Sequence, residues 1–470
     1  MKMKGHFNTN LIIFMIALSL LFSPSTPLTS KAFALSIEDE RIMGEKFLAQ
    51  IRGHFELLDD DFANQFISDL GHYLITPLET KYFPFHFYII KDNTLNAFAA
   101  PGGHIFIFSG LIEVMDSIDE LAAVICHEIG HVSARHMSQR IEQSKKIGLA
   151  TMAAIMAGAL IGGVAAEALI TGSLAAGIQA QLHYSRNDER QADQLGFKYM
   201  KSAGFDPAGM ITTLNKIQKG NLLGTDKIPA YLMTHPTGPE RMSNLDTMLS
   251  RYSPARPKKE VTRFRELSPL FKAIVRAKCL DPHTAEKLFN LELEKTPGSF
   301  LPHFGLGIVY KERSEYTQAI HHLKKALEIE PDFIPILTNL GEVYQMKGKY
   351  REALRVLEEA LKLDDGDRSA LFLLGLSYEN LEQHEKALRL FERLASFKPV
   401  KNEVYYHLGL SYGKQDRLVH AHYNFGLYFG KLGQIRIAKF HFRKAYDLSG
   451  DNPTLKKKIH EATQGLRRSR

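Results

Sequence analysis

The sequence of 470 residues predicts an α+β, mostly helical fold in its first half, followed by an all-α solenoid of helical repeats. Two observations support this prediction. Strand-like stretches at residues 83–90 and 104–108 lie after amphipathic helical stretches at residues 36–52 and 61–73. From Leu306 onward, the same residue types recur every 34 positions, which is typical of helical repeats. A chain of this length can form two or three domains with their own cores.

The first 34 residues have the features of a secretion signal. Lys2 and Lys4 precede an apolar run of twelve residues, 11–22, which is shorter than the roughly 20 residues of a membrane span. Residues 32–34 read Ala-Phe-Ala, which is an A-x-A cleavage site. We therefore predict a cleaved signal peptide over residues 1–34 and export of the rest of the chain. An uncleaved membrane anchor is the alternative.

The pentapeptide His-Glu-Ile-Gly-His at residues 127–131 is the most informative motif in the chain. It continues a predicted amphipathic helix, and four residues advance a helix by about one turn, so His127 and His131 share a face. Two imidazole nitrogens on one face can bind Zn²⁺ at about 2.0–2.1 Å. Glu128 points about 100° away around the helix, where it can take a proton from an attacking water. The motif therefore predicts a hydrolase that binds one Zn²⁺ per chain.

A site with two histidines needs a third protein ligand and an open position. The best candidates lie at residues 189–193, Glu-Arg-Gln-Ala-Asp, in a predicted helix on which Glu189 and Asp193 are one turn apart. We expect Glu189 to bind the zinc and Asp193 to accept a hydrogen bond from a histidine N–H, which fixes the histidine tautomer. Asp188 competes for the ligand role, and a solvated charged helix face is the other interpretation.

Four stretches, in the right order, resemble the HtpX/CAAX-prenyl-protease type of zinc metallopeptidase, which is of the gluzincin kind. Residues 96–111 match the strand before the zinc helix, and residues 127–136 match the zinc helix itself. Residues 184–193 match the segment with the glutamate ligand, and residues 234–236, followed by Glu240 and Arg241, match a later signature. The resemblance implies a zincin-type metalloprotease domain and endopeptidase activity. Together with the repeats, it implies a soluble periplasmic peptidase that acts on unfolded or misassembled envelope proteins. The repeat groove would then recruit the substrate or the outer-membrane assembly machinery.

The resemblance also places a loop, predicted at residues 228–239, over the cleft. His235 lies in this loop and could occupy the open position of the zinc, or donate to the oxyanion of the tetrahedral intermediate. Arg241 is a second candidate for the oxyanion role. A loop histidine held by local hydrogen bonds is the alternative for His235, and His136 is assigned a structural role.

Two further expectations concern the surroundings of the site. The strand at residues 104–108 is expected to form the edge of the cleft, where free backbone groups could bind a substrate chain by strand addition. An interior strand is the alternative.

Residues 147–166 contain no charged residue, and a second apolar stretch extends to Ala180. We expect a close-packed helical pair that covers the active site, whereas contact with a membrane surface or a membrane span are the alternatives.

The repeats define the second half of the chain. Leu-Gly pairs, tyrosines and alanines recur at a period of 34, which is the tetratricopeptide pattern of paired helices. The pairs are Leu306-Gly307, Leu340-Gly341, Leu374-Gly375 and Leu408-Gly409. After Phe425-Gly426 the pattern restarts at half a period, so the second helix of the fourth repeat is expected to serve as the first helix of a fifth. Such a stack forms a concave groove for a peptide or protein.

These features predict four regions. They are a signal peptide over residues 1–34, a zinc metalloprotease domain over 35–255, a linker with a connecting helix over 256–283, and a tetratricopeptide domain with a C-terminal capping helix over 284–470. The Pro- and Lys-rich composition of residues 253–259 indicates a linker. We therefore expect a chain that ends at Pro257 to fold as a protease without the repeats.

Composition narrows the class of partner. The formal charge is +7, of which three positive charges lie in the predicted signal. The remaining charge is mild and no basic-aromatic motif of the nucleic-acid-binding kind is present, so nucleic acid is not an expected partner. Cys126 and Cys279 are expected to be free thiols. Beside the zinc endopeptidase, two functions remain open: a scaffold or chaperone whose metal site is mostly dormant, and a membrane-embedded protease.

Overall fold

Helices dominate the structure, and the predicted fold class is confirmed. The computed structural model describes residues 36–143, 184–220, 230–236, 238–254, 256 and 258–468. The predicted signal peptide at 1–34 and the predicted helical pair at 147–180 lie outside these residues. No helix in the described ranges combines the length and the apolar character needed to cross a bilayer.

The first domain contains one three-stranded sheet among its described residues, surrounded by helices. In chain order its elements are α1 (Ile37–His54), α2 (Asp61–Leu74), β1 (His86–Ile90), β2 (Ala97–Ala100), β3 (His104–Phe108), α3 (Ser109–Val114), α4 (Ile118–Ser133), α5 (His136–Gln143), α6 (Arg186–Ala203), α7 (Ala208–Gly220), α8 (Ala230–Thr234) and α9 (Pro239–Ser250).

The second half is a series of antiparallel helices. They are α10 (Lys259–Cys279), α11 (Pro282–Lys295), α12 (Phe300–Glu312), α13 (Tyr316–Ile329), α14 (Ile334–Met346), α15 (Tyr350–Leu363), α16 (Arg368–Asn380), α17 (His384–Ser396), α18 (Asn402–Lys414), α19 (Leu418–Lys431), α20 (Ile435–Leu448) and α21 (Pro453–Arg468).

The sheet differs from the prediction in one respect that concerns the cleft. The strand order is β1-β3-β2, with β3 parallel to β1 and antiparallel to β2. The expectation that residues 104–108 form the free edge is therefore wrong, because β3 is paired on both sides. The edge next to the zinc-motif helix α4 is β2, which the sequence analysis did not recognise. Gly102 and Gly103, at φ 76° and 86°, let the chain fold back tightly from β2 to β3.

The helix after the linker belongs to the core of the first domain. Phe264 and Phe271 on α10 pack against Phe66 on α2, with ring centroids 5.8 and 4.4 Å apart. The guanidinium of Arg276, also on α10, lies 2.7 Å from the Glu113 carboxylate on α3. Residues 258–279 therefore do not act as a spacer between independent domains, although the sequence around them is typical of a linker.

This packing reverses our expectation for the truncation. A chain that ends at Pro257 lacks Phe264 and Phe271, and each lost buried phenylalanine removes about 3–5 kcal/mol of stability. We expect the chain 35–257 to lose cooperative thermal unfolding, whereas the chain 35–297, which keeps α10 and α11, retains it. Circular dichroism melting of both chains measures this. A cooperative transition of the shorter chain at the temperature of the longer one would contradict the packing argument.

The repeats follow the predicted period, including its restart. In the first helix of each pair, a glycine lies under a large side chain sixteen residues later: a Cβ on Gly409 would come within 2.7 Å of the Phe425 ring. Gly426 has the same relation to Phe442, at 2.6 Å. Helix α19 therefore packs on α18 as a second helix and on α20 as a first helix, as predicted.

Candidate metal centre

The zinc-motif helix α4 brings two imidazoles together in the interior. Ser117 caps the helix by accepting a hydrogen bond from the Glu120 N–H, which fixes the position at which the helix begins. His127 and His131 are each 2% exposed, and their Nε2 atoms are 3.1 Å apart. The two nitrogens thus face the same point, as the spacing in the sequence predicts.

Two glycines allow the helix with the carboxylates to approach. A Cβ on Gly130 would lie 2.8 Å from the carbonyl oxygen of Ala192, and a Cβ on Gly196 would lie 3.2 Å from the backbone of Cys126. The first distance is too short for any side chain and the second is tighter than most Cβ contacts, so glycine at both positions lets α4 and α6 cross this closely. Glu189 and Asp193 on α6 therefore reach the histidines of α4.

Four donor atoms form a buried cluster. The side chains of His127, His131, Glu189 and His235 each contribute an atom, and these atoms lie within 4.8 Å of one another. His131 Nε2 is 3.4 Å from Glu189 Oε1, and His127 Nε2 is 3.4 Å from His235 Nδ1. Ligand atoms on a tetrahedral zinc are about 3.3 Å apart, as follows from bonds of 2.0–2.1 Å. The spacing of the donors therefore fits that ion.

The electrostatics of the cluster also suit a cation. Burial raises the pKa of Glu189, but the charges of His235 and Arg241 and hydrogen bonds from the two motif histidines outweigh it and hold that pKa well below the ordinary value. One oxygen, Oε2, makes no geometrically good hydrogen bond, although Arg241 Nη1 lies 2.6 Å away. An ionised, incompletely satisfied carboxylate beside buried imidazoles is the donor set that Zn²⁺ binds in hydrolases.

Asp193 lies behind the cluster, where the sequence analysis expects it. Its Oδ1 is 3.0 Å from His127 Nδ1. Burial and the Arg241 charge lower the pKa of His127, but hydrogen bonds to Asp193 and Glu189 prevail and raise it to about 9. The Asp193 carboxylate thus orients the ring so that Nε2 points at the donor cluster.

Arg241 is buried beside the two acidic residues of α6 and the His127 ring. Its Nε and Nη2 donate to the two oxygens of Asp193 at 2.7 and 2.9 Å, and its Nη1 lies beside Glu189. The guanidinium is therefore engaged with the two acidic residues, and its position favours holding the Glu189 carboxylate over stabilising an oxyanion. Asp188, the competing candidate for the third ligand, forms a capping box with Ser185 at the start of α6 and is not part of the cluster.

Glu128 is fully buried and lies beside the donor atoms. It is 0% exposed, and neither of its oxygens has a hydrogen-bond partner among the described residues. His235 Nε2 lies 3.6 Å from its Oε1. A buried carboxylate without a protein partner is free to accept a proton from a molecule that enters the site.

His235 follows a short helix rather than lying in an open loop. Helix α8 ends at Thr234, and the His235 N–H donates to the Tyr231 carbonyl at 2.8 Å. Its ring is fully buried and stacks between Tyr184 and Tyr231, with centroids 5.0 and 4.5 Å away. The sequence analysis did not single out these two tyrosines, since nothing in their local pattern distinguishes them from core residues.

His136 has a closer relation to the site than its predicted structural role suggests. Its Nδ1 is 3.0 Å from His131 Nδ1, and its Nε2 is 3.0 Å from the Gln191 amide oxygen. That oxygen can only accept, so His136 Nε2 carries the proton and its Nδ1 accepts from His131. His131 Nδ1–H is then the donor, which leaves the Nε2 lone pair for the metal. Its position five residues after His131 is the signal that could have shown this.

Replacement of His136 is expected to weaken metal binding. His136→Leu removes the acceptor for His131, and loss of such a partner costs about 10–100-fold in metal affinity. His136→Asn, whose amide oxygen can accept the same hydrogen bond, should recover part of the loss. Competition for zinc with a chelator measures the affinity, and His54→Leu, at an exposed position, is the control. Equal zinc affinity of His136→Leu and the unaltered protein would rule out this role.

Comparison with known proteins agrees with the site and the repeats. Residues 63–249 match peptidase family M48, and residues 307–348, 333–398 and 419–452 match models of the tetratricopeptide repeat. The last of these matches covers α19 and α20, the pair that restarts the pattern at half a period.

Curated relatives that are named as proteases match part of this chain. The beta-barrel assembly-enhancing proteases of Yersinia pestis and Escherichia coli K12 are each 31% identical over 229 residues, which is 48% of this chain and 47% of theirs. A provisionally named beta-barrel assembly-enhancing protease of Vibrio cholerae is 29% identical over 304 residues, 63% of this chain and 62% of its own. The chain thus matches about half to three fifths of the length of these relatives. It combines a peptidase family M48 domain with a C-terminal array of tetratricopeptide repeats.

Proposed function

We propose that the protein is a zinc-dependent endopeptidase of the periplasm, which cleaves unfolded or misassembled envelope proteins during outer-membrane protein assembly. The observation that carries this proposal is the buried cluster of His127, His131, Glu189 and His235 with Glu128 beside it. The names of the relatives, beta-barrel assembly-enhancing protease, supply the biological setting.

The residues of the site divide the chemistry among them. A bound Zn²⁺ would act as a Lewis acid that activates water and polarises the peptide carbonyl. His127, His131 and Glu189 would hold it, and Asp193 and His136 keep the two imidazoles in the binding tautomer. Glu128 accepts the proton of the attacking water and returns it to the leaving amine. Burial of the whole cluster excludes bulk water, which strengthens each of these interactions.

Strand β2 and the cavity beside His131 offer a place for the substrate chain. Ala99 and Ala100 on β2, Val132 on α4 and the Tyr184 ring line this cavity. The outer edge of β2 is unpaired within the described residues, so a substrate could add as a further strand and place its scissile bond near the donor cluster.

The repeats are proposed to recruit the substrate or a component of the assembly machinery. Tetratricopeptide arrays bind peptides and proteins in a concave groove, and this one is continuous with the core of the protease domain. Complementation of a deletion strain tests the function: the unaltered protein should restore the removal of an unassembled outer-membrane β-barrel protein, and a Glu128→Gln protein should not. Equal restoration by both would move the function to a non-proteolytic scaffold.

His235 is proposed to be a removable fourth ligand that restrains the enzyme. A metal with four protein ligands is closed to water, so hydrolysis requires His235 and its short helix to move. We expect His235→Ala to raise basal cleavage of casein while zinc stays bound. The opposing hypothesis, that His235 stabilises the oxyanion, predicts a loss of roughly 10²–10³ in turnover. The turnover number and zinc content of the pure variant decide between them, and a lower rate at unchanged zinc would exclude the restraint.

A further inference from the structure

The positive charge of the chain is concentrated at one end of the solenoid. Residues 401–470 contain fourteen Lys and Arg against five Asp and Glu, whereas residues 35–400 contain forty-two against forty-seven. The exported chain is therefore mildly acidic except for its last helices. Such an asymmetry indicates that this end meets an anionic partner.

The outward face of α20 combines this charge with exposed apolar side chains. Ala438, Phe442 and Ala445 are buried in the solenoid, which leaves the opposite face in solvent. Phe440 stands at the centre of that face and, at 54% exposure, is the most exposed large apolar side chain of the described residues. Ile437 lies beside it, at 38% exposure. An isolated exposed apolar side chain is ordinary, but a cluster on one helical face marks a contact surface.

Cations flank the apolar residues and continue onto the next helix. The exposed cations on α20 are Arg436, Lys439, Arg443 and Lys444. On α21, Lys457 and Lys458 are exposed, and Lys456 Nζ lies 5.2 Å from the centre of the Tyr446 ring at the end of α20. We call these seven cations together with Ile437, Phe440 and Tyr446 the basic-aromatic face.

No cation of the basic-aromatic face forms an ion pair with another described residue. Some cations of the earlier repeats do form such pairs: Lys311 is 2.6 Å from Glu342, and Arg393 is 3.1 Å from Asp365. These seven cations are thus not paired with an acidic side chain of the described residues, and they remain available to an external anion.

We propose that the basic-aromatic face binds the surface of a bilayer that contains anionic phospholipids. A helix face is a convex ridge, and an apolar centre flanked by long cations matches the interface of a bilayer, where rings enter the headgroup region and Lys and Arg reach the phosphates. Each Lys or Arg near such a surface contributes favourably, so several act together. This proposal is independent of the zinc site and would position the protease at a membrane surface.

The absence of tryptophan from the chain allows a direct test of insertion. Phe440→Trp creates a single tryptophan on the basic-aromatic face, and Leu363→Trp, at a 44% exposed position on α15, is the matched control. The chain from Leu35 is used, because the apolar signal segment would itself bind lipid. We expect vesicles containing phosphatidylglycerol to shift the emission of the Phe440→Trp protein to the blue, and phosphatidylcholine vesicles to cause no shift. The same result with both tryptophans, or no shift at all, would overturn the proposal.

Charge reversal tests the electrostatic part. Arg436→Glu, Lys439→Glu and Arg443→Glu together should weaken sedimentation with phosphatidylglycerol vesicles by at least about tenfold. The control reverses Arg351, Arg355 and Lys362, three exposed cations on α15, and should leave binding unchanged. Binding to poly-glutamate without binding to the vesicles would assign the face to an acidic protein and would likewise overturn the proposal. Thermal unfolding of each variant confirms that the solenoid remains folded.

Discussion

A Glu128→Gln protein is expected to lose peptide hydrolysis and to keep its zinc. The Glu128 carboxylate is fully buried, has no hydrogen-bond partner among the described residues and lies beside the donor cluster. An amide of the same shape cannot accept the proton of the attacking water. General-base catalysis contributes about 10²–10⁴-fold, so the residual rate should fall by at least that range.

Casein cleavage and zinc content of the purified proteins measure this prediction. The control is Glu79→Gln, at an exposed carboxylate of the first domain, which should cleave at the unaltered rate. Proteolysis by the Glu128→Gln protein at the unaltered rate would mean that another group accepts the proton. Loss of zinc from this variant would instead make Glu128 part of the metal site.

Glu189→Ala is expected to lose zinc as well as activity. The Glu189 carboxylate is the only acidic member of the donor cluster in the described residues, and its removal leaves imidazoles alone. It also leaves the buried Arg241 with one acidic partner, Asp193, which is expected to lower stability. Glu189→Gln avoids part of this cost, because its amide oxygen can still accept from Arg241 while its loss of charge weakens the metal site.

Zinc per chain after dialysis is the measurement for both variants. Asp188→Ala is the matched control, since Asp188 is adjacent in sequence but caps α6 and lies outside the cluster. We expect the control to retain zinc and both Glu189 variants to lose most of it. Full zinc occupancy in a folded Glu189→Ala protein would show that the third ligand is another residue.

Sequence reasoning identifies those residues of the site that lie one helical turn apart on the same helix. His127 and His131 are one turn apart on a helix, and so are Glu189 and Asp193, so each pair could be placed on one face before any fold was known. The crossing of the two helices is a tertiary fact, and Gly130 and Gly196 make it possible. Glycine inside a helix does not by itself indicate which helix will approach.

Other features depend on contacts between distant segments and left no local signal. Tyr184 and Tyr231 enclose the His235 ring from two different elements. The central position of β3 in the sheet was not predicted, because the short, alanine-rich β2 that pairs with it has no strand pattern of its own. The sequence before α10 is typical of a linker, yet the apolar face of α10 packs against α2. In contrast, the repeats were predictable in detail, since each repeat contacts mainly its neighbours and the period is written in the sequence.

Titration of zinc into metal-stripped protein, with casein cleavage as the readout, tests the central claim most directly. The site described here predicts no cleavage by the stripped chain and a rate that rises with added zinc until one Zn²⁺ is bound per chain. The Glu128→Gln protein should bind the same single zinc and remain inactive throughout. Cleavage by the stripped chain, or a zinc-loaded chain that cleaves equally well with glutamine at position 128, would contradict the proposed zinc endopeptidase.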